Sequence, residues 1–261
     1  MENFFKYYKS VNSWALKVLF RNLVVFKKTW ATSLAFNVVE PLLYLVALGA
    51  GLGVMIPEIK GMTYTEFIAP GIVAMSVMWA SAAECSYDSF VRMHFQKIYH
   101  AIIATPINIR EVVIGELLYG TFKGILSGVV IMIVITLLGL VTSFWALLTP
   151  VVFILSGMIF SQISMIWTGL VPRIDTFAYL FTLVITPMFL FSEVFFPLYT
   201  LPEIVQQIAW FLPLYHIVFL IRALTLGMVG PELLYHFLWL VIFTLAIFPL
   251  PQLLMQRRLI K

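Results

Sequence analysis

The chain has 261 residues, 62% of them hydrophobic and only 11% charged, with a net charge of +4 and a mean hydropathy of +1.02. A soluble domain carries about 25% charged residues, so this composition excludes a water-soluble fold and predicts an integral membrane protein made of one polytopic domain over 1–261. The single cysteine, Cys85, excludes an internal disulfide, and His94, His100, His216 and His236 show no metal-ligand spacing, so no metal site is expected.

Residues 11–28 come first. Val11, Trp14, Ala15, Val18 and Leu19 follow helical apolar spacing, with Lys17, Arg21 and Lys28 on the other side. That pattern predicts a basic amphipathic helix lying in the membrane interface, or an extension of the first span. The expected spans are Trp30 to Ile56, Phe67 to about Asp88, Val112 to Val141, Trp145 to Val171, Phe177 to Phe196 and Leu233 to Leu254. The fold class is therefore all-α, with six transmembrane helices.

Between spans two and three lies the most polar internal segment, 92–110. His94, Gln96, Lys97, His100 and Thr105 alternate there with apolar residues, and Pro106 breaks the run. Together with Arg92, these residues form a candidate docking surface for a partner. An ordinary loop that only fixes orientation is the plainer reading.

Glu40, Glu84, Glu116 and Lys123 are ionisable residues inside the expected spans. Glu40 lies about ten residues into span one and Lys123 about eleven residues into span three, each roughly 15 Å deep. A lone charge at the bilayer centre costs about 2.5–3.5 kcal/mol. Equal depth therefore predicts that Glu40 and Lys123 pair. With Glu84 and Glu116 they make a candidate polar path. Gly120, Gly124 and Gly128 recur every fourth residue on span three, a stripe for close helix packing.

The stretch from Phe191 to Leu226 is apolar, yet Pro197, Pro202 and Pro213 interrupt it, and Glu193, Glu203, His216 and Arg222 punctuate it. Broken helix at membrane depth survives only where protein or a water-filled cavity satisfies its backbone. A re-entrant hairpin over 197–232 is expected, followed by the last span. Lys6, Lys9, Lys17, Arg21, Lys27, Lys28, Arg92, Lys97, Arg110, Arg173, Arg257, Arg258 and Lys261 then share one side, against Lys60 and Arg222 on the other. The positive-inside rule places that side, and both termini, in the cytoplasm.

The chain has no G-x-x-x-x-G-K-[ST] sequence, so it holds no phosphate-binding loop of that type. Any ATPase driving it is another polypeptide, and no catalytic cluster marks the chain as an enzyme. GIVAMSVMW, ECSYDSFVRMHFQKIYHAIIATPI, EVVIGELLYG, TLVITPMFLFSEVFFPLYTLP and WFLPLYHIVFLIRAL, in that order, closely resemble membrane subunits of type-2 ABC exporters, nearest their NodJ-like branch. The resemblance implies a permease dimer in a bacterial inner membrane, bound to two ATPase subunits that carry the ATP and magnesium. It also implies a coupling role for Arg92 to Pro106 and an external hairpin between spans five and six. It points away from nucleic acid and towards an amphiphilic cargo: a lipid-linked oligosaccharide, a polysaccharide or a glycolipid. A drug or antibiotic is the alternative cargo. An ion-coupled transporter using Glu40, Lys123 and Glu84 is the alternative class. One departure from the family pattern is Glu193, where the block usually reads glycine.

Overall fold

A computed structural model of the chain describes residues 14–56, 58–59 and 61–259. Among these the architecture is all-α, with nine helices, and five are long and apolar enough to cross a membrane. The expected topology residues Lys6, Lys9, Lys60 and Lys261, and Val11 of the interface helix, lie outside the described residues.

Helix α1 runs unbroken over Trp14–Gly51. The interface helix and the first span are thus one element about 57 Å long. The reason is local: no glycine or proline stands between Trp14 and Pro41, so nothing in the sequence halts the helix. Ala15 and Val18 are buried, and a side chain on Gly115 would collide with both. Leu16, Phe20, Val24, Leu43 and Val46 remain exposed.

Helix α2, Tyr64–Phe95, is the buried axis of the bundle. A reciprocal capping box opens it: Thr63 accepts from Glu66 N, and Glu66 accepts from Thr63 N at 2.7 Å. The expected end near Asp88 is passed by seven residues. Two single π turns, Glu84–Asp88 and Val91–Phe95, carry the helix through that polar stretch. A left-handed residue, Lys97 at φ 55°, then turns the chain into short α3, Ile98–Ile103. Tyr99 of α3 is fully buried, and its hydroxyl meets Ser89 Oγ at 2.6 Å, which fastens this turn under α2.

Helix α4, Ile109–Leu137, starts on an Asn108–Glu111 capping box, and Gly139 in the left-handed region follows its end. Its glycines are contact points. A Cβ on Gly120 would lie 2.5 Å from both Cys85 Sγ and Ser161 Oγ, and one on Gly128 would lie 2.5 Å from Val77. The stripe therefore faces α2 on one side and α5, Thr149–Leu170, on the other. Helix α6, Ile174–Leu190, is shorter than expected, at 17 residues, and contains a π turn at Phe181–Ile185. Helices α7, Glu203–Trp210, and α8, Pro213–Leu226, meet at an 84° bend. Helix α9, Glu232–Leu259, follows.

Hydrogen bonds define the two ends of the bundle. At one end, Arg110 reaches Gln256 at 3.3 Å, while Arg258 donates to Thr168 O and to Val171 O. At the other, Thr142 N and Ser143 N donate to Thr225 O at 3.0 and 3.2 Å, and Arg222 binds Phe67 O. Glu193, before α7, and Thr225, in the last turn of α8, are both held at that second end.

Candidate functional site

At the basic end, one face of α2 gathers Glu84, Asp88 and Arg92 at four-residue spacing, just where the π turns widen the helix. Such turns recur at functional sites. Arg92 Nη2 lies 2.6 Å from Glu84 Oε1 and 2.6 Å from Glu116 Oε2 of α4. Glu116 also accepts from Asn22 Nδ2 of α1 at 2.9 Å, and Asn22 accepts from Arg21 at 3.0 Å. Lys123 Nζ is 3.5 Å from Glu84 Oε2 and donates to Ser33 Oγ. Glu84, Glu116 and Lys123 are all buried. Two carboxylates and two cations from α2 and α4 thus neutralise one another, and the Asn22 amide of α1 adds a hydrogen bond, as burial of charge requires.

This geometry changes two expectations. Lys123 pairs with Glu84 and Ser33, not with Glu40. Glu40 is exposed, and it stands seven residues beyond Ser33 on α1, about 10 Å along the axis. Equal depth was the right criterion for Lys123, but Glu84 meets it too, and only Glu84 faces the lysine. Arg92 is the second case. Its guanidinium turns back among the helices, so it is not part of an outward docking face. The other residues expected on that face, His94, Gln96, Lys97, His100, Thr105 and Pro106, are all exposed.

Two cavities flank the ion cluster. One, of about 450 Å³, is lined by Thr29, Thr32 and Ser33 of α1, by Ala80, Ala83, Glu84 and Asp88 of α2, and by Lys123. The other, of about 200 Å³, includes Arg21, Asn22, Asp88, Arg92, Gln96 and Tyr119. Asp88 lines both. A hydroxyl-rich, charged cavity of this kind is one of the few settings in which ionisable groups persist within spans.

At the far end, Glu193 and Arg222 come together. Arg222 Nη1 is 3.4 Å from Glu193 Oε2, Nη2 donates to Glu193 O at 2.6 Å and to Phe67 O at 3.2 Å, and Nε donates to Phe67 O at 3.3 Å. The guanidinium also lies 4.0 Å from the Phe67 ring centroid. Glu193 adopts φ 59°, a left-handed conformation that favours glycine. Glu193 therefore sits in a conformation that glycine adopts with less strain, and its carboxylate pairs with Arg222 there. Pro197 precedes a 3-10 turn, Pro202 precedes α7 and Pro213 is the first residue of α8.

His216 makes a contact that the sequence reading missed. Its Nε2 lies 2.7 Å from Trp210 O, so that nitrogen carries the proton. Its Nδ1 then accepts from His236 Nδ1, also at 2.7 Å. Trp239 stacks on His216 with centroids 4.2 Å apart. The only sequence signal was two histidines bracketing a Gly–Pro turn. Among the described residues, no group of three His, Cys, Asp or Glu could hold a metal.

The family model described as "ABC-2 type transporter" matches residues 16–226. "Nodulation protein J" of Rhizobium leguminosarum bv. viciae is 39% identical over 248 residues, covering 94% of this chain and 95% of the relative. "Nodulation protein J" of Rhizobium meliloti (strain 1021) is 38% identical, covering 83% of each chain. "Inner membrane transport permease YadH" of Escherichia coli (strain K12) is 24% identical, covering 89% of this chain and 90% of the relative. No solved structure matches. A family model that spans most of the chain, with relatives above 30% identity along nearly their whole length, fits the multi-pass bundle: the chain belongs to the ABC-2 type transporter family, as a membrane subunit.

Proposed function

We propose that the chain is the permease of an ATP-driven exporter in a bacterial inner membrane. Two copies pair with two separate ATPase subunits, and the cargo is an amphiphilic glycan: a lipid-linked oligosaccharide, a polysaccharide or a glycolipid. Both termini are cytoplasmic, and the hairpin of α7 and α8 is external. Cysteine placed at position 203 in a Cys85-free chain then reacts with an impermeant reagent from outside only. Labelling from the cytoplasm alone overturns the orientation.

One observation carries the reading. The exposed turn from His94 to Pro106 is continuous in the chain with Arg92, and Arg92 is bonded to the buried carboxylates beside the polar cavity. Movement imposed on the turn by ATP binding on a partner reaches the charges of the path within one helical element, and so biases one arrangement of the spans over another. The relatives named for nodulation, and the uncovered apolar face of α1 as a surface for a second copy, support the same reading.

The test is purification of the tagged chain from its native membranes. A P-loop ATPase of single-domain size is expected with it, and a strain lacking the chain is expected to accumulate a glycan or glycolipid in the inner membrane. Lys97→Gly keeps the left-handed turn, so a loss of coupling in that variant reports on the side chain itself. Purification without an ATPase, together with an unchanged glycan and lipid profile, overturns the proposal.

A further inference from the structure

The external end holds a further cavity, of about 460 Å³, beneath the bent hairpin. That volume is in the range of small-molecule sites. Its walls come from four helices and the loop before α7, so the hairpin forms a roof over it. Glu193, Gln206, Tyr215, Phe219, Arg222 and Glu232 carry its chemistry.

The charges are largely spoken for. Arg222, buried, spends its nitrogens on Phe67 O and on Glu193. With Glu193 it makes a neutral pair, and no further cation lines the cavity among the described residues. An anionic ligand finds no counter-charge there, and Glu232 repels it. A lipophilic cation finds aromatic rings, but its only unmatched carboxylate is Glu232, which is exposed and screened by water. What remains suits a neutral ligand rich in hydroxyls. The Gln206 amide nitrogen donates to Leu201 O at 2.8 Å, which leaves the amide oxygen to accept. The Tyr215 hydroxyl donates and accepts. The half-buried Tyr215, and the face of Phe219 turned away from the His236 ring stacked on it, offer apolar ring surface for the C–H face of a sugar.

We infer that this cavity is a binding site for an uncharged sugar unit of the cargo, occupied on the outer side of the membrane as the glycan leaves. The inference rests on the proposed export of a glycan and adds to it the site and the charge class of the sugar. The ion pair of Arg222 and Glu193 holds the roof to α2 and closes the floor of the site; Tyr215 and Gln206 make the contacts.

The experiment uses the full chain with its co-purifying partner in lipid nanodiscs. It is titrated with cellotetraose (neutral), tetragalacturonate (anionic) and tetraphenylphosphonium (a lipophilic cation), with calorimetry as the readout. Cellotetraose binding is expected, with tetragalacturonate at least about tenfold weaker. Tyr215→Ala and Gln206→Ala are each expected to weaken cellotetraose by about three- to tenfold, the scale of one lost hydrogen bond or ring contact. Gln206 lies on the exposed α7, so that variant tests the site even where Tyr215→Ala fails to fold. No cellotetraose binding, binding unaffected by either variant, or binding of tetraphenylphosphonium alone overturns the inference. If glycan still accumulates in the strain lacking the chain, that outcome leaves the proposed function standing. Absence of accumulation, together with purification without an ATPase, overturns the function itself.

Discussion

The cluster around Arg92 makes a quantitative prediction. Arg92→Met removes the cation that holds both Glu84 and Glu116 at 2.6 Å. Glu84 then keeps only Lys123, at 3.5 Å, and Glu116 keeps only the Asn22 amide. Breaking a buried ion pair by removing one partner costs about 3–5 kcal/mol. At about 2–4 °C per kcal/mol for a chain of this size, the apparent melting temperature should fall by roughly 6–20 °C. Glu116→Gln keeps the shape and the Asn22 contact, and Arg92 retains Glu84, so its cost is closer to that of a charged hydrogen bond, about 1.5–3 kcal/mol. The double variant should lose less than the sum of the two by at least about 1 kcal/mol, because it discards both members of one pair. Thermal unfolding of detergent-solubilised protein at a fixed scan rate, followed by retention on size exclusion, reads all three. Arg173→Ala is the control. Its pair with Asp175 at 3.2 Å is largely exposed, and its loss should shift the midpoint by no more than about 4 °C. Strictly additive losses, or an Arg92→Met variant as stable as the control, would refute the account of the cluster.

Glu193→Gly should cost less stability than Glu193→Ala by about 1–2 kcal/mol. Both lose the pair with Arg222, but only glycine relieves the left-handed backbone. Equal melting temperatures for the two variants would remove strain from the explanation. Gly120→Ala should sharply reduce the yield of folded protein, since its Cβ meets Cys85 and Ser161 at 2.5 Å. Gly51→Ala, with nothing within 4 Å, should express normally. Matching yields on gel filtration would contradict the packing of α4 between α2 and α5.

The spans were legible because the bilayer demands long apolar helices, and the sequence has few other ways to satisfy that demand. Their ends were less so. Helix α2 outran its expected end because Glu84 and Arg92, which look like boundary residues in isolation, satisfy each other and Glu116 once folded. Helix α1 lost its expected joint because amphipathicity changes character without a breaking residue. Depth along a helix could be counted from the sequence, so Lys123 was marked as needing a partner. Rotation about the helix axis depends on which neighbour packs where, so Glu40 and Glu84 could not be separated. In the hairpin, the glutamate at a glycine position and the lone Arg222 were each noticeable. Their pairing across 29 residues was tertiary information.

The π turns of α2 have a consequence for tolerance to deletion. Removing one residue from an α-helix swings everything beyond it by about 100°. Each π turn, Glu84–Asp88 and Val91–Phe95, holds one surplus residue looped into the winding. Losing one residue from such a turn lets the winding revert to regular α geometry while the flanking segments stay in phase. In a helix buried along most of its length, these are the two places where the gene could shed a codon without rotating the core out of register. The loss would fall on the local placement of Glu84, Asp88 and Arg92 around the polar cavity, and the bundle that carries them would stand.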